Sequence, residues 1–411
     1  MLEIAVIADD LTGAADTGIQ FRSLFAEVLL MADAALDGGV PVPVPEVLAI
    51  HTRSRAMAPK DSRARVMGAA RRLRAWQPRR VYKKVDSCLR GNIGAETDAL
   101  IDTLGLEMSF IAPAFPAIGR TTVHDVHLMH GQPVAESKMG RDPATPVTES
   151  RLAQVIAAQS RLAVGRVDIG TVAAGAGPLA DEVSRLAKTG ARHIVFDAVE
   201  QDHLATIAGL TLERFPATLL VGSAGLALGL RESLGGPLLV PAPVPARKGS
   251  HLIALGTAWE GARRQVAALC RARDVKVFDL EVPSLTRPPV EMDIAPIVAR
   301  LQVGDAVVRV APPDRIPSAT TALQVAAGFG ALVAEAVRRA HPTSILLSGG
   351  DTAVVTLDSL GVRTLRLELE IVPGLVYCTA AGGPVDGLAV GTKPGAFGDD
   401  NAILEWRTFW S

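Results

Sequence analysis

Short, fully apolar segments alternate with longer amphipathic ones along this chain, and this alternation restricts the fold more than any other feature. Ile4–Ala8 predicts a buried strand, and Thr12–Arg22 predicts the helix that follows it. Strands that are apolar throughout are typical of parallel sheets covered by helices on both faces. The sequence therefore predicts an α/β fold. The later strands predicted in this first half are Val47–His51, Val81–Val85, Ser109–Pro113 and His193–Ala198.

A chain of 411 residues exceeds one ordinary hydrophobic core, so we expect two domains. Residues 235–250, GGPLLVPAPVPARKGS, are rich in proline and glycine and predict a stiff, extended linker. The predicted domains are therefore residues 1–234 and 251–411, each Rossmann-like with three layers. Strands of the second domain are predicted at Leu252–Leu255, Val275–Leu280, Asp305–Val310 and Ile345–Ser348.

Charge and hydropathy exclude two classes of partner. Lys plus Arg number 42 and Asp plus Glu number 43, so the net charge of −1 offers no general attraction for nucleic acid or anionic membrane. The longest apolar stretch, Phe215–Leu230, contains a proline and three glycines and is too short to span a bilayer. An anionic small molecule would have to be bound by basic groups within its own site, because the net charge of the chain does not attract it. The oligomeric state is left open, with a homo-oligomer as one alternative.

The three cysteines, Cys88, Cys270 and Cys378, are far apart and form no CxxC pair. This pattern indicates neither a disulfide framework nor a zinc site and is typical of a reducing compartment. The N-terminal segment MLEIAVIADD lacks a basic region, which argues against a secretory signal peptide. We therefore expect a cytoplasmic protein.

Ligands of open parallel sheets collect beyond the carboxyl ends of the strands, so the residues after each strand are the candidates. Asp9 and Asp10 follow the first strand, and Thr12 comes two positions later. Adjacent carboxylates repel unless a sugar hydroxyl, a metal ion or a basic side chain compensates them. The alternative is that Asp10 or Thr12 simply caps the next helix.

The strand Val81–Val85 leads into a second polar segment, which reads KKVDSCLRGN from Lys83. Arg90 suits bidentate capture of a carboxylate, and Ser87 suits recognition of a hydroxyl. The alternative is a solvated loop with a local salt bridge. The candidates in this segment are Lys84, Asp86, Ser87, Arg90 and Gly91.

Two glycine-rich segments follow strands in the second half. After Ile345–Ser348 come Gly349, Gly350, Asp351 and Thr352, an order that offers backbone N–H groups to a phosphate. Asp351 could hold a ribose hydroxyl or Mg²⁺. The alternative is a tight turn with an Asp or Thr cap.

The second segment, GTKPGAFGD, contains Lys393 and Gly395; the lysine could contact phosphate, and the glycines permit close backbone approach. Two such segments favour a nucleotide ligand. The P-loop, GxGxxG, HExxH and GxSxG motifs are absent from the sequence.

Residues 116–150 form a long excursion from the alternating pattern, with His124, His127 and His130 at three-residue spacing. Long excursions in compact domains are often functional. No helix is evident here that would place two histidines on one face for a metal ion. We expect histidines that face solvent or line a substrate, and the metal ligands stay unassigned.

The segments ADDLTGAAD, KKVDSCLRGNIGAE, APAFPAIGRTT, SGGDTA and GTKPGAFGD occur in this order. As a set they resemble the four-carbon acid sugar kinase family, over nearly the whole chain. The resemblance implies an N-terminal domain that binds an acid sugar, a C-terminal domain that binds ATP, and a ligand cleft between them. It also implies phosphorylation of the terminal hydroxyl of threonate, erythronate or oxo-tetronate.

The resemblance also implies roles for individual residues. Asp10 or Asp86 would orient the hydroxyl and accept its proton, and Arg90 with a lysine would hold the carboxylate. Lys393 and Mg²⁺ would hold the triphosphate. The resemblance assigns to the sugar side Asp9, Asp10, Lys84, Asp86, Ser87, Arg90 and Gly91, and to the nucleotide side Gly349, Gly350, Asp351, Thr352 and Gly395. The residues themselves add Thr12 to the sugar-side candidates, and Thr257 and Lys393 to the nucleotide-side candidates.

This chain departs from the family pattern at two places. Cys88 stands where the family usually has threonine, and residues 256–262, GTAWEGA, stand where it usually has GSxSxxT. Thr257 can replace a hydroxyl of that segment, but Trp259 cannot. A sugar-acid binding protein without catalysis is therefore the alternative. An NAD-dependent dehydrogenase is disfavoured because GxGxxG is absent.

Overall fold

The computed structural model describes residues 1–38, 43–142, 145–240, 244, 246–257, 259–286, 293–311 and 319–411. The chain divides into two compact units, Met1–Leu239 and Val240–Ser411. Among the helices in these described ranges, none combines the length and apolar character needed to cross a membrane.

The N-terminal unit is built on a sheet of eight parallel strands. The α/β class predicted from the sequence is confirmed. In the order β2-β3-β1-β4-β11-β5-β10-β9, every neighbouring pair runs parallel. The strands of this unit, in chain order, are β1 (Ile4–Ala8), β2 (Val28–Ala32), β3 (Val47–His51), β4 (Arg80–Lys84), β5 (Met108–Ala112), β6 (Arg120–Val123), β7 (Val126–Met129), β8 (Gln132–Pro133), β9 (Val164–Val167), β10 (His193–Phe196) and β11 (Thr218–Gly222).

Helices connect these strands. The first one starts where the sequence predicts it but ends early, at Gly18, and a 3-10 turn continues to Phe21. The helices are α1 (Leu11–Gly18), α2 (Pro59–Arg74), α3 (Ile93–Leu104), α4 (Leu152–Gln159), α5 (Ile169–Ala173), α6 (Ala176–Lys188), α7 (Gln201–Glu213) and α8 (Ala224–Leu234). Strand β2 and helix α7 were not predicted from the sequence.

Strand β1 lies where the strand order reverses. From β1 the chain first builds β2 and β3 on one side, and then β4, β5 and the later strands on the other. Register aligns Ala8 with His51 of β3 and with Lys84 of β4. The loops after these three strands therefore leave the same edge and diverge there, which opens the crevice where α/β proteins bind ligands.

The excursion at 116–150 contains a second, small sheet that the sequence pattern did not reveal. Strands β6, β7 and β8 pair antiparallel, in that order. Isolated bridges join Thr122 to Ala198 and Val126 to Arg151. The small sheet is thus attached to the segments after β10 and before α4.

The C-terminal unit has a second sheet, in the order β13-β14-β12-β15-β18-β17-β16. The first five of these strands are parallel, and β17 pairs antiparallel with both β18 and β16. The elements are β12 (His251–Leu255), α9 (Glu260–Ala272), β13 (Val275–Leu280), α10 (Val282–Thr286), α11 (Ala295–Leu301), β14 (Asp305–Val310), α12 (Ala319–Ala340), β15 (Ser344–Ser348), α13 (Gly350–Ser359), β16 (Thr364–Val372), β17 (Leu375–Ala380), β18 (Ala389–Lys393) and α14 (Ala402–Thr408).

Strand order reverses in this unit too, at β12 and β15. In the register of the sheet, Leu255 pairs with Ser348, and Ser348 pairs with Lys393. The three parallel strands β12, β15 and β18 therefore end at the same edge. Gly256, Gly349 and Pro394 begin the loops at this edge. A place where the strand order reverses is called a switch point, and β1 marks the one in the N-terminal unit. The second predicted ligand site therefore also lies at a switch point.

The predicted linker, 235–250, includes residues 241–243 and 245, which lie outside the described residues. Before them, the N–H of Leu239 donates to the carbonyl of Ser23 at 2.6 Å. The predicted domain limits, the stiff linker and the ligand cleft remain predictions.

Candidate active site

Arg55 is the centre of a cluster of charged side chains at the switch point of the N-terminal unit. Its Nε and Nη2 donate to the two oxygens of Asp9 at 2.8 and 2.9 Å. Its Nη1 and Nη2 donate to the two oxygens of Asp10 at 3.1 and 2.7 Å. Asp86 Oδ1 lies 3.7 Å from Nη2. One guanidinium therefore compensates the repulsion between the adjacent carboxylates.

Arg55 is not among the residues predicted from the sequence, although the sequence contains a signal for it. The strand Val47–His51 was predicted, and it is followed by the polar run Thr52–Arg55. Ligand-binding residues are expected directly after the carboxyl ends of parallel strands, and this expectation, which selects residues after β1 and β4, also selects Arg55 after β3.

Asp10 both caps a helix and belongs to the cluster. It is the N-cap of α1, where Oδ1 accepts the N–H of Gly13 at 3.1 Å and Oδ2 accepts the hydroxyl of Thr12 at 2.7 Å. Each of its oxygens also accepts from Arg55. The four acceptor positions of this carboxylate are therefore all used within the protein.

Asp86 and Arg90 form a bidentate pair in the loop after β4. Arg90 Nε and Nη2 donate to Asp86 at 2.9 and 2.8 Å, and Nη1 donates to Asp142 at 3.3 Å. Asp86 Oδ2 also accepts the N–H of Cys88 at 3.1 Å. The fork of Arg90 that was predicted to read a substrate carboxylate is thus directed at Asp86.

The two lysines of β4 have different environments, because neighbouring residues of a strand face opposite sides. Lys83 is fully buried and pairs with Glu96 of α3 at 2.6 Å. Lys84 is also buried, and Gly13 approaches it so closely that a methyl group there would lie 2.6 Å from its ammonium. Among the described residues, no carboxylate lies within 4 Å of the Lys84 ammonium, and no acceptor hydrogen-bonds to it.

Ser87 and Gly91 complete the predicted sugar side. The carbonyl of Ser87 accepts a hydrogen bond at 2.8 Å from Nε2 of His127, on the small sheet. Gly91 has a φ of +94°, a conformation that favours glycine, and lies against Asp9 and Arg55. His127 is fully buried, so the expectation that it would face solvent or substrate is wrong.

Electrostatics keep Asp10 and Asp86 ionised. Burial alone would raise the pKa of Asp10, but Arg55 and then Lys84 outweigh it and hold the pKa below its usual range. Burial likewise opposes ionisation of Asp86, yet Arg90 and Arg55 hold its pKa far below normal. Burial lowers the pKa of His127 to about 4 and keeps it neutral at physiological pH. Asp10 and Asp86 are thus present as carboxylates.

A cavity of about 480 Å³ adjoins the cluster on the α4 side. Arg55, Arg90, Gly91 and Asn92 line this cavity, and so does Gln159 of α4. Gln159 Nε2 donates to the carbonyl of Gly91 at 3.1 Å, and its Oε1 accepts the N–H of Gly94 at 2.9 Å. The side chain of Gln159 therefore holds the segment from Gly91 to Gly94, part of which lines the cavity.

The switch point of the C-terminal unit brings together most of the predicted nucleotide-side residues. Gly349 has a φ of +110°, and its N–H donates to the carbonyl of Lys393 at 2.9 Å. A methyl group on Gly395 would lie 2.5 Å from Thr257 Oγ1, so these two residues touch. Thr352, on the first turn of α13, packs against Gly256.

Gly350 begins α13 beside Gly349, and Asp351 is exposed in the first turn of that helix. Thr257 Oγ1 accepts the N–H of Trp259 at 3.3 Å, and Trp259 packs against the hydrophobic core. Ala258, between them, lies outside the described residues. The altered GTAWEGA segment therefore keeps one hydroxyl beside the two glycine loops.

No cluster of three or more His, Cys, Asp or Glu side chains suited to a metal ion occurs in the described part of the chain. All three cysteines are free, and only Cys270 is exposed.

Family models match both halves of the chain, and each match includes the residues of one switch point. A family model described as a sugar-binding N-terminal domain matches residues 4–230, and one described as a nucleotide-binding C-terminal domain matches residues 252–403. D-threonate kinase of Salmonella typhimurium is 33% identical, over 98% of this chain and 97% of that protein. The chain belongs to the four-carbon acid sugar kinase family.

Other members of the family act on related acids, to judge from their names. D-erythronate kinase of Heliobacterium modesticaldum is 30% identical, over 98% of this chain and 95% of that protein. 3-Oxo-tetronate kinase of Pseudomonas fluorescens is 29% identical, over 96% of this chain and 94% of that protein.

The fold of the family is also found among solved structures. A Salmonella typhimurium protein superimposes with a TM-score of 0.82 at 24% identity, covering 99% of both chains. A Haemophilus influenzae protein has a TM-score of 0.72 at 23% identity, covering 99% of this chain and all of the other. At these identities the likeness concerns the fold alone.

Proposed function

We propose that this protein is an ATP-dependent kinase that phosphorylates the terminal hydroxyl of threonate, erythronate or oxo-tetronate. One observation supports the proposal: each unit brings candidate residues of a different kind together at its own switch point. The N-terminal site is made of charged side chains, as an acid sugar requires. The C-terminal site is made of glycine-rich backbone, as a nucleotide phosphate requires. The names of the relatives support this assignment.

Lys84 is the cation best suited to the substrate carboxylate. Both arginine forks are engaged with carboxylates of the protein, whereas the ammonium of Lys84 is buried without such a partner in the described chain. A buried ammonium gains most from an anion that arrives with the substrate. We propose that Lys84 binds the carboxylate and that Arg90 assists it through the Nη1 that faces Asp142.

The hydrogen bonds favour Asp9 as the residue that orients the reacting hydroxyl. The sequence predicts Asp10 or Asp86 for this role. Internal donors occupy all four acceptor positions of Asp10, and three donors crowd Oδ2 of Asp86, which leaves acceptor capacity only at its Oδ1. Asp9 accepts one hydrogen bond on each oxygen, both from Arg55, and so retains acceptor capacity. Phosphoryl transfer passes through a loose transition state, so orienting the hydroxyl matters more than removing its proton.

On the nucleotide side, the proposed contacts come from Thr257, Gly349, Gly350, Asp351, Thr352 and the loop around Lys393 and Gly395. Backbone N–H groups would bind the phosphates of Mg·ATP, with Mg²⁺ arriving as part of that substrate. Asp351, exposed at the start of α13, is placed to bind a ribose hydroxyl or the ion. Free cysteines are compatible with action in the cytoplasm, where ATP is available.

The test is a screen of the purified full-length chain for ADP release with threonate, erythronate and 3-oxo-tetronate stereoisomers, with gluconate as a control. Turnover of at least one tetronate is expected. Binding of a tetronate and of ATP without turnover would favour a non-catalytic binding protein, and no binding of either would refute the proposal.

Asp9→Asn, Asp10→Asn and Asp86→Asn separate the three candidate carboxylates. We expect Asp9→Asn to lower kcat about 100-fold with a KM for ATP close to normal. If Asp10→Asn or Asp86→Asn has that effect while Asp9→Asn does not, the assignment to Asp9 is wrong.

A further inference from the structure

The ammonium of Lys393 is buried and is bound by backbone carbonyls of its own loop. Lys393 ends β18 and is fully buried. Its Nζ donates to the backbone carbonyls of Pro394, Gly395 and Phe397 at 3.0, 3.4 and 2.9 Å. Three donors therefore meet three acceptors, all in the glycine loop that follows the strand.

A second side chain holds the other end of the same loop. Gln265, on α9, is buried, and its Nε2 donates to the carbonyls of Phe397, Gly398 and Asp399 at 3.1, 3.2 and 2.8 Å. Lys393 and Gln265 together turn five carbonyls of residues 394–399 toward the interior. Phe397 is the carbonyl that they share.

The direction of these carbonyls fixes the direction of the N–H groups. In a planar trans peptide, C=O and the next N–H point opposite ways. The N–H groups of Gly395, Ala396 and Gly398 each follow one of the inward carbonyls. The hydrogen bonds of the described residues include none donated by these three N–H groups.

Gly395 and Ala396 are successive, whereas the N–H of Phe397 donates to the carbonyl of Pro394 at 3.1 Å. Successive N–H groups that are not used inside the loop form a concavity that binds anions. Gly398 has a φ of +85°, which suits this kind of backbone. Gly395 touches Thr257, so the loop belongs to the nucleotide-side cluster already described.

We propose that Lys393 is a positioning residue: with Gln265, it shapes residues 394–399 into the phosphate-binding loop and does not itself contact the nucleotide. This inference rests on the proposed function for the identity of the anion. It assigns Lys393 a role different from the direct phosphate contact predicted from the sequence. Burial lowers the pKa of Lys393 to about 7, because desolvation disfavours the ammonium.

The experiment compares Lys393→Met, which keeps the chain length and removes the donors, with Lys393→Arg, which restores donors. Lys248→Met, at an exposed lysine of the same unit, is the matched control. Chymotryptic cleavage after Phe397, in the full-length protein without nucleotide, reports whether the loop is held. The rate is followed by mass spectrometry of the released peptide 398–411. ADP affinity is measured by calorimetry on the same samples.

We expect Lys393→Met to accelerate cleavage at Phe397 and weaken ADP binding, each about tenfold or more, because the loop is no longer preorganised. Lys393→Arg should recover part of both effects, and Lys248→Met should match the wild type. Weakened ADP binding with an unchanged cleavage rate would overturn the proposal in favour of direct phosphate contact. No change in either would also overturn it.

Gln265→Leu keeps the test decisive if Lys393→Met does not fold. It removes the donors at the other end of the loop and should change both measurements in the same direction. An unchanged Gln265→Leu would count against the proposal. If the wild type binds no ADP, the proposed function fails, but the cleavage rates still decide whether Lys393 holds the loop.

Discussion

Replacing Arg55 with methionine tests whether one guanidinium holds the charged cluster together. The side chains of Arg55, Asp9 and Asp10 are only 17%, 4% and 16% exposed, and four hydrogen bonds of 2.7–3.1 Å join them. Removing one partner of a buried ion pair typically costs about 3–5 kcal/mol, because the remaining charge stays desolvated. We expect Arg55→Met to lower the free energy of unfolding of the N-terminal unit by about that amount at pH 7.

The pH dependence of this loss can be worked out from the pKa shifts. The pKa values of Asp10 and Asp86 are lowered in the folded state, so their stabilising contribution is present above the ordinary value of 3.8. It is lost as the pH falls below that value and the carboxylates become protonated. The difference between wild type and Arg55→Met should therefore be largest near neutral pH and shrink as the pH falls below about 4.

The assay is urea unfolding followed by hydrogen exchange of peptides from β1 and β4, which reports on this unit alone. Arg185→Met is the matched control, since Arg185 forms an equally short bidentate pair with Glu182 on the exposed surface. That control should show no measurable change. A loss below about 1 kcal/mol for Arg55→Met, or a loss that does not shrink in acid, would refute the reasoning.

Three further predictions concern other described contacts. Lys83→Met should destabilise the N-terminal unit by about 3–5 kcal/mol in the same assay, because it leaves the buried carboxylate of Glu96 without its partner. Adding Glu96→Leu removes that unpaired charge and should recover most of the lost stability. A double variant as unstable as Lys83→Met alone would contradict this. His127 has its pKa lowered to about 4, so its contribution is complete above pH 6.5 and is lost as the pH falls toward 4, by up to about 3 kcal/mol. Urea titrations of His127→Gln between pH 7 and 4 should show a correspondingly flatter slope, and an unchanged slope would exclude His127 as a source of acid sensitivity. Gly350→Val should raise the KM for ATP about tenfold by keeping phosphate from the backbone, with an unchanged melting temperature; a normal KM would remove Gly350 from the nucleotide site.

The parallel core of the fold was predictable because its strands are apolar on both faces. Val47–His51 was predicted with its observed limits, and β1 was too. The small sheet was missed because its strands are short and half polar, as RTTV in β6 illustrates. Strand β16, TLRLELEIV, has the two-residue alternation of a half-buried strand, which differs from the continuous apolar runs that predict the parallel strands.

The sequence predicts where the candidate site lies, but not which hydrogen bonds and ion pairs its side chains form. Reading the residues after strands found Asp9, Asp10 and Asp86, which the structure brings together. It could not reveal that Arg90 faces Asp86 or that Lys393 faces its own loop, because both depend on side-chain directions in a folded loop. His127 is bonded to Ser87 from 40 positions away, and no local pattern indicates such a contact.

The position of β11 has a consequence for how the N-terminal unit forms during synthesis. Strand β11 lies between β4 and β5, although β4 and β5 are much earlier in the chain. The hydroxyl of Tyr82, on β4, bonds the carbonyl of Ser223 at a separation of 141 positions. A nascent chain that ends before residue 218 therefore leaves facing edges of β4 and β5 without their shared partner. Such edges are sites of mispairing, so a ribosome-bound chain must be protected until β11 emerges and closes the sheet.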